Sequence, residues 1–107
     1  MGFFDFFGFG GNDAGKISEY LENGAIILDV RTPMEFREGH VKGSINIPLQ
    51  ELTSRYSEIK KQNKPVIACC RSGARSGSAA TFLNGKGIDT INGGPWQTVD
   101  GFVSVKK

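Results

Sequence analysis

A cysteine begins a short polar segment whose residue types could bind an anion. The segment reads Cys70-Arg-Ser-Gly-Ala-Arg75, and it lies between a strongly β-prone run and a helical pattern. Gly73 permits a tight turn in which backbone N–H groups point inward, and the helix adds the positive end of its dipole. Arg71 and Arg75 contribute positive charge. Together these features predict an anion at the centre of the loop.

The cysteine of such a loop is expected to be a thiolate near neutral pH. Cysteine pKa values fall from about 8.5 to roughly 3.5–7.5 at helix N-termini or beside cations. The thiolate is the nucleophile, and the loop would also bind an anionic substrate and stabilise charge in a transition state. The alternative is an inert cysteine at the end of a core strand. The composition of the loop favours the reactive interpretation.

The elements that must position this loop alternate between strand and helix patterns. Strands are predicted at Ala25–Val30, Ser44–Ile47, Val66–Cys70 and Asp89–Ile91, and helices at Ile17–Leu21, Pro33–Arg37, Leu49–Lys61 and Ser76–Asn84. This alternation predicts a parallel sheet covered by helices on both faces. Ligands of such sheets bind beyond the carboxyl ends of the strands, where Cys70 falls. Gly93-Gly94-Pro95 is predicted to turn the chain into a closing segment.

Three parts of the sequence resemble the rhodanese family. They are LDVRTPMEFREGHVKGSINIPL, then CRSGARS, then two glycines ahead of a tryptophan, and the resemblance covers roughly residues 16 to 103. It implies an α/β fold, a rhodanese-like three-layer sandwich with a central parallel sheet and helices on both faces. It also implies that Cys70 takes sulfane sulfur from a donor such as thiosulfate and passes it, as a persulfide, to cyanide or a thiol.

The resemblance assigns the substrate-binding residues as well. Arg71, Ser72, Gly73, Ala74 and Arg75 would surround the persulfide with backbone N–H groups, and the arginine side chains would face the anionic donor. No cofactor is expected, and two cysteines with one histidine are a poor ligand set for a metal ion. The expected partners are a small anionic sulfur donor and a thiol or cyanide acceptor, with a protein sulfur acceptor as an alternative.

Several other polar or reactive residues are predicted to be structural. Cys69 should point away from Cys70 because side chains alternate along a strand. A packed core cysteine is favoured there over a resolving or regulatory thiol. His40, the only histidine, lies in a glycine-bounded turn, and Asp29 with Arg31 is predicted to form a buried or half-buried pair that organises the sheet edge.

Two other functions remain open at this point. Counting from Cys69 gives the Cys-x5-Arg-Ser spacing of cysteine-dependent phosphatases and arsenate reductases. Ala68 stands where a histidine would be expected for that chemistry, and no convincing general-acid aspartate is identifiable. The second alternative is a persulfide carrier or regulatory rhodanese module that serves one protein partner. Saturable turnover with thiosulfate would separate an enzyme from a carrier.

Composition bounds the remaining possibilities. The length of 107 residues predicts one domain, at 16–107, preceded by an arm at 1–15 that contains five phenylalanines among glycines and polar residues. A net charge of +2 is too small to indicate nucleic-acid binding. No apolar stretch approaches the roughly 20 residues of a transmembrane helix, and the first residues do not read as a signal peptide. A cytoplasmic location is therefore expected.

Overall fold

The computed structural model describes residues 13–106, and within them a four-stranded parallel sheet forms the centre of the molecule. The strands are β1 (Ile26–Asp29), β2 (Ile45–Asn46), β3 (Val66–Cys70) and β4 (Thr90–Pro95), in the order β2-β1-β3-β4. The helices are α1 (Ile17–Glu22), α2 (Pro33–Glu38), α3 (Leu52–Lys60), α4 (Ala74–Gly85) and α5 (Trp96–Lys106), with 3₁₀ turns at Ala14–Lys16 and Leu49–Glu51. The predicted alternation of strands and helices is confirmed. Most of the predicted arm, 1–12, lies outside the described residues.

The sheet separates two apolar layers. The first layer joins one sheet face to α3 and α4 and includes Leu28, Ala68, Leu52, Ile59 and Leu83. The second joins the other face to α1 and α5 and includes Ile27, Ile67, Ile17 and Val99. β1 and β3 are buried along their whole length, which explains why they read as continuous apolar runs. The three-layer α/β sandwich implied by the resemblance is therefore the observed architecture.

The segment before α2 begins that helix as the sequence predicts. The Thr32 hydroxyl accepts a hydrogen bond from the backbone N–H of Glu35 at 3.2 Å, and the Glu35 carboxylate accepts one from the Thr32 N–H at 2.9 Å. Pro33 occupies the first helical position, where a missing N–H costs nothing. This reciprocal cap holds the start of α2 rigidly and fixes the position of the Glu35 carboxylate.

The helix that follows Cys70 begins earlier than predicted. Its first residue is Ala74 rather than Ser76, so the connecting loop is only 71–73. Gly73 is the residue before the helix and has a φ of +105°, a conformation that a residue with a side chain rarely adopts. This turn lets the chain pass from the strand to the helix through only three connecting residues.

The predicted turn at Gly93-Gly94-Pro95 is wrong, because these residues belong to β4 and the chain enters α5 directly at Trp96. The register explains the extra length: Ala68 pairs with Asn92 and Cys69 with Gly94, so Gly93 is a bulge. A Cβ atom at Gly93 would lie 2.7 Å from the side chains of Ile67 and Val99. Glycine is needed there for packing.

Candidate active site

Cys70 is the last residue of β3, and its Sγ atom lies at the centre of the loop that follows. The side chain is buried, with 0% exposure. The backbone N–H of Gly73 donates to Sγ at 3.0 Å and that of Ser76 at 3.3 Å, and the Ser76 hydroxyl lies 3.3 Å away. Three polar groups from the loop and the first turn of α4 thus converge on one sulfur atom. This arrangement favours negative charge on that sulfur.

Opposing influences set the pKa of Cys70. Burial raises it, but hydrogen bonds from the Ser76 side chain and from the backbone of Ser76, Gly73 and Ser72 outweigh burial, and the resulting pKa is lower than that of an ordinary cysteine. The largest lowering effect on the Cys70 pKa therefore comes from hydrogen bonds, whereas the sequence-based prediction relied on the helix N-terminus and the charges of the two arginines. A lowered pKa increases the thiolate fraction near neutral pH.

The two arginines of the segment have different surroundings. The guanidinium of Arg75 donates two hydrogen bonds to the Glu35 carboxylate, at 2.9 and 3.0 Å. This pairing raises the pKa of Arg75 and, together with the Thr32 N–H, lowers that of Glu35 to about 2. The Arg75 side chain was expected to face the sulfur donor, whereas its guanidinium is hydrogen-bonded to the Glu35 carboxylate of α2.

Arg71 is exposed and has no carboxylate partner among residues 13–106. It lines an open cavity of about 260 Å³ beside the loop. The other lining residues are Arg31, Glu35, Glu38, Gly39, Trp96 and Gln97. Arg71 is thus the guanidinium of this loop that can turn toward an incoming anion.

Cys69 lies in the opposite apolar layer from Cys70. It is 0% exposed and packs with Ile67, Val99 and their neighbours. Burial raises the pKa of the Cys69 thiol, and the nearby Asp29 raises it further. The interpretation of Cys69 as a packed core residue agrees with this environment. A phosphatase mechanism would need Cys69 as a thiolate at the loop, and its position and protonation both oppose that role.

The residues predicted to be structural have structural contacts. The Asp29 carboxylate accepts hydrogen bonds of 2.7–3.1 Å from the buried Arg31 guanidinium, as predicted. Arg31 also donates to the Gly39 carbonyl at 2.7 Å and lies 5.2 Å from the Trp96 ring centroid. His40 stacks on a neighbouring aromatic ring of α2, and its Nδ1 lies 2.7 Å from a backbone carbonyl. None of these contacts reaches Cys70.

Three residues near the loop were not singled out from the sequence: Glu35, Ser76 and Asn92. The spacing Thr32-x-x-Glu35 is a capping-box signature and could have drawn attention to Glu35. Ser76 follows the loop directly, but its contact with Cys70 depends on where the helix begins. Asn92 is 4% exposed and donates from Nδ2 to the Gly73 carbonyl at 3.0 Å. No local pattern in the sequence predicts this last contact.

A hydrogen-bonded cysteine at the carboxyl end of a central parallel strand defines an α/β protein with a cysteine-based site. Residues 13–95 match the family model of the rhodanese-like domain. The chain therefore belongs to the rhodanese-like domain family, which confirms the resemblance seen in the sequence. Among residues 13–106, no helix combines the length and the apolar character that crossing a membrane requires.

Several relatives of the chain are named sulfurtransferases. Uncharacterized protein YqhL of Bacillus subtilis is 45% identical over 67 residues, 63% of this chain and 52% of that protein, so the match spans about half of YqhL. Thiosulfate sulfurtransferase GlpE of Haemophilus influenzae is 32% identical over 73 residues, 68% of this chain and 69% of that protein. A structure of rhodanese with anions from E. coli superimposes with a TM-score of 0.63 at 33% identity, covering 69% of this chain and 89% of that one.

Proposed function

We propose that this protein is a sulfurtransferase that carries sulfur as a persulfide on Cys70. The observation that carries the proposal is the set of hydrogen bonds to Cys70 Sγ from the backbone N–H groups of Gly73 and Ser76. Such donors favour a thiolate and can also accommodate the outer sulfur of a persulfide. Family membership and the relative named as a thiosulfate sulfurtransferase support this choice over other cysteine chemistry.

The loading step is a nucleophilic displacement at sulfur. The Cys70 thiolate attacks the sulfane sulfur of thiosulfate, and a new S–S bond forms. The bond between the two sulfur atoms of thiosulfate breaks, and sulfite leaves with the bonding electron pair. The total charge is unchanged because the anionic thiolate becomes an anionic persulfide while dianionic thiosulfate becomes dianionic sulfite. No external oxidant or reductant is consumed.

The discharge step restores the free enzyme. An acceptor nucleophile, for example cyanide, attacks the outer sulfur of the persulfide and forms thiocyanate. The S–S bond of the persulfide breaks, and the Cys70 thiolate leaves with the electron pair. A low pKa of Cys70 assists this step because a more stable thiolate is a better leaving group.

The loop residues would bind the donor, bind the transferred sulfur and maintain the loop conformation. Arg71, beside the open cavity, would attract the anionic donor, since its charge has no carboxylate partner among residues 13–106. The backbone of Ser72, Gly73 and Ala74 would form the rest of the sulfur-binding turn. Arg75, held by Glu35, would fix the start of α4 against α2 and keep the loop in shape.

Intact-protein mass spectrometry tests the proposal. The wild type, Cys70→Ser and Cys69→Ser would be weighed before and after thiosulfate, with thiocyanate formation from cyanide followed in parallel. We expect the wild type and Cys69→Ser to gain one sulfur atom and lose it to cyanide, while Cys70→Ser gains none. Cys69→Ser is the matched control because it changes the adjacent residue in the opposite layer.

Other outcomes would replace the proposal in defined ways. Sulfur loading without saturable turnover on thiosulfate and cyanide would identify a persulfide carrier that needs a protein acceptor. Failure of the wild type to gain sulfur would contradict a persulfide on Cys70. Hydrolysis of an aryl phosphate that is lost in Cys69→Ser would instead establish the phosphatase alternative.

A further inference from the structure

Asn92 is a buried side chain whose hydrogen bonds link the loop to β4. Its Nδ2 donates to the Gly73 carbonyl at 3.0 Å, while its Oδ1 accepts from the Gly94 N–H at 3.0 Å and lies 2.6 Å from the Ser76 hydroxyl. The flipped amide would set its NH₂ group against the Gly94 N–H and its oxygen against the Gly73 carbonyl. The surrounding groups therefore determine which atom is the oxygen.

The Ser76 hydroxyl has two neighbours and a single proton to offer. Its Oγ lies 2.6 Å from Asn92 Oδ1 and 3.3 Å from Cys70 Sγ. An amide oxygen can only accept, so the short contact to Asn92 requires the Ser76 proton. In this arrangement Ser76 presents a lone pair to Cys70, which suits a thiol S–H donor and repels a thiolate.

We propose that Ser76 is a positioning residue whose hydroxyl proton turns from Asn92 to Cys70 when Cys70 ionises, with Asn92 as its resting acceptor. The inference rests on the proposed function, in which Cys70 acts as a thiolate. Rotation about the Cβ–Oγ bond of Ser76 is sufficient, and no heavy atom has to move. The thiol proton of Cys70 leaves to solvent, and the Ser76 proton stays bonded to its own oxygen throughout.

This switch would favour the thiolate over the loaded persulfide. In the thiolate the negative charge lies on Cys70 Sγ, next to Ser76. In the persulfide the charge lies on the outer sulfur, Sγ is neutral, and the Ser76 proton returns to Asn92. Ser76 therefore increases the thiolate fraction of free Cys70 and assists Cys70 as the leaving group in the discharge step. Asn92 accepts the Ser76 hydroxyl proton in the thiol and persulfide states.

The charged groups around Cys70 come from several elements. Arg75 of α4 interacts electrostatically with Cys70 and is paired with Glu35 of α2, whose pKa is about 2. Asp13 accepts a hydrogen bond from the backbone N–H of Asn92 at 3.1 Å. Cys69 in the opposite layer ionises above Cys70, because its pKa is raised. The cysteine that titrates at the lower pH should therefore be Cys70.

The first test measures the pKa of Cys70 from the pH dependence of its alkylation by iodoacetamide, with no sulfur donor present. Ser76→Ala should raise that pKa by about one unit, a roughly tenfold loss of thiolate, because a hydrogen bond to a charged group is lost. Ser78→Ala, an exposed position on the same helix, should leave it unchanged. Ser76→Thr retains a hydroxyl and should restore most of the wild-type value. An unchanged pKa in Ser76→Ala overturns the proposal.

The second test follows the proton itself. In isotopically labelled wild type, the side-chain carbonyl carbon of Asn92 should shift with pH at the Cys70 pKa, because Oδ1 loses one hydrogen bond. Most of that response should vanish in Ser76→Ala. An equal shift of the Asn92 carbon in both proteins would show that the proton does not switch. If Ser76→Ala does not fold, the absence of this shift in the wild type also overturns the proposal. Since neither test uses a sulfur donor, their failure is distinct from failure to form a persulfide.

Discussion

Gly73→Ala perturbs the loop at its most constrained residue. Gly73 has a φ of +105°, and a side chain in the left-handed region costs roughly 1–2 kcal/mol. Steric contact adds little, because the new Cβ would lie 3.5 Å from the Gly94 Cα atom, an ordinary contact distance. The Gly73 carbonyl is held by Asn92 Nδ2 at 3.0 Å and by the Gly77 N–H at 2.9 Å. These two bonds resist relaxation of the backbone.

The variant therefore has two connected consequences. If the loop keeps its conformation, the free energy of unfolding should fall by about 1–2 kcal/mol with little change in the Cys70 pKa. If φ turns negative to relieve the strain, the Gly73 N–H leaves Cys70 Sγ, and the Cys70 pKa should rise by about one unit. If the variant loses less than about 1 kcal/mol of unfolding free energy, its Cys70 pKa should therefore be higher than that of the wild type.

Urea unfolding and alkylation kinetics measure both consequences on one sample. Gly101→Ala is the control, because that glycine lies within α5 and no atom lies within 4 Å of its would-be Cβ. Alanine in a helix interior is about 1 kcal/mol more favourable than glycine, so this control should gain stability. The reasoning is refuted if Gly73→Ala matches the wild type in both unfolding midpoint and Cys70 pKa.

Three further changes test the packing and charges around the site. Gly93→Ala should lower the free energy of unfolding by about 1–3 kcal/mol in urea titrations, because its Cβ would lie 2.7 Å from the side chain of Val99. Glu35→Gln should make the free energy of unfolding, measured by urea titration at several pH values, less dependent on pH below 4.5. The pKa of Glu35 is lowered from 4.5 to about 2 in the folded protein, so the stability that ionised Glu35 contributes is complete above pH 4.5 and is lost toward pH 2. Arg71→Gln should raise the KM for thiosulfate several-fold at low salt and less at high salt, whereas exposed Arg37→Gln should not.

Each of these predictions has an outcome that contradicts it. A Gly93→Ala protein as stable as the wild type would mean that β4 moves away from the second layer at no cost. An identical acid transition in Glu35→Gln would show that its pairing with Arg75 does not persist in solution. Equal KM changes for Arg71→Gln and Arg37→Gln would indicate a general effect of net charge.

Local patterns were sufficient for the main elements of the fold. The buried run Val66–Cys70 was predicted with its observed limits because a central parallel strand is apolar on both faces. The start of α2 followed from Thr32 and Pro33, which cap and begin a helix through contacts only three residues apart. A tight turn at Gly73 was predicted because a residue without a side chain lies between a strand and a helix, and the observed φ of +105° agrees with that prediction.

Contacts between distant segments had no such local signal. Arg75 and Glu35 are 40 residues apart, and their pairing depends on α2 and α4 meeting beside the loop. Ser76 and Asn92 are 16 residues apart, and they meet because β4 lies beside β3 with Asn92 paired to Ala68, two residues before Cys70. Residue types and spacing along the chain led to the hypothesis that Cys70 is a nucleophile, because the features that indicate it lie within one short segment. The partners that orient it depend on strand register and helix packing, which arise when the whole sheet assembles.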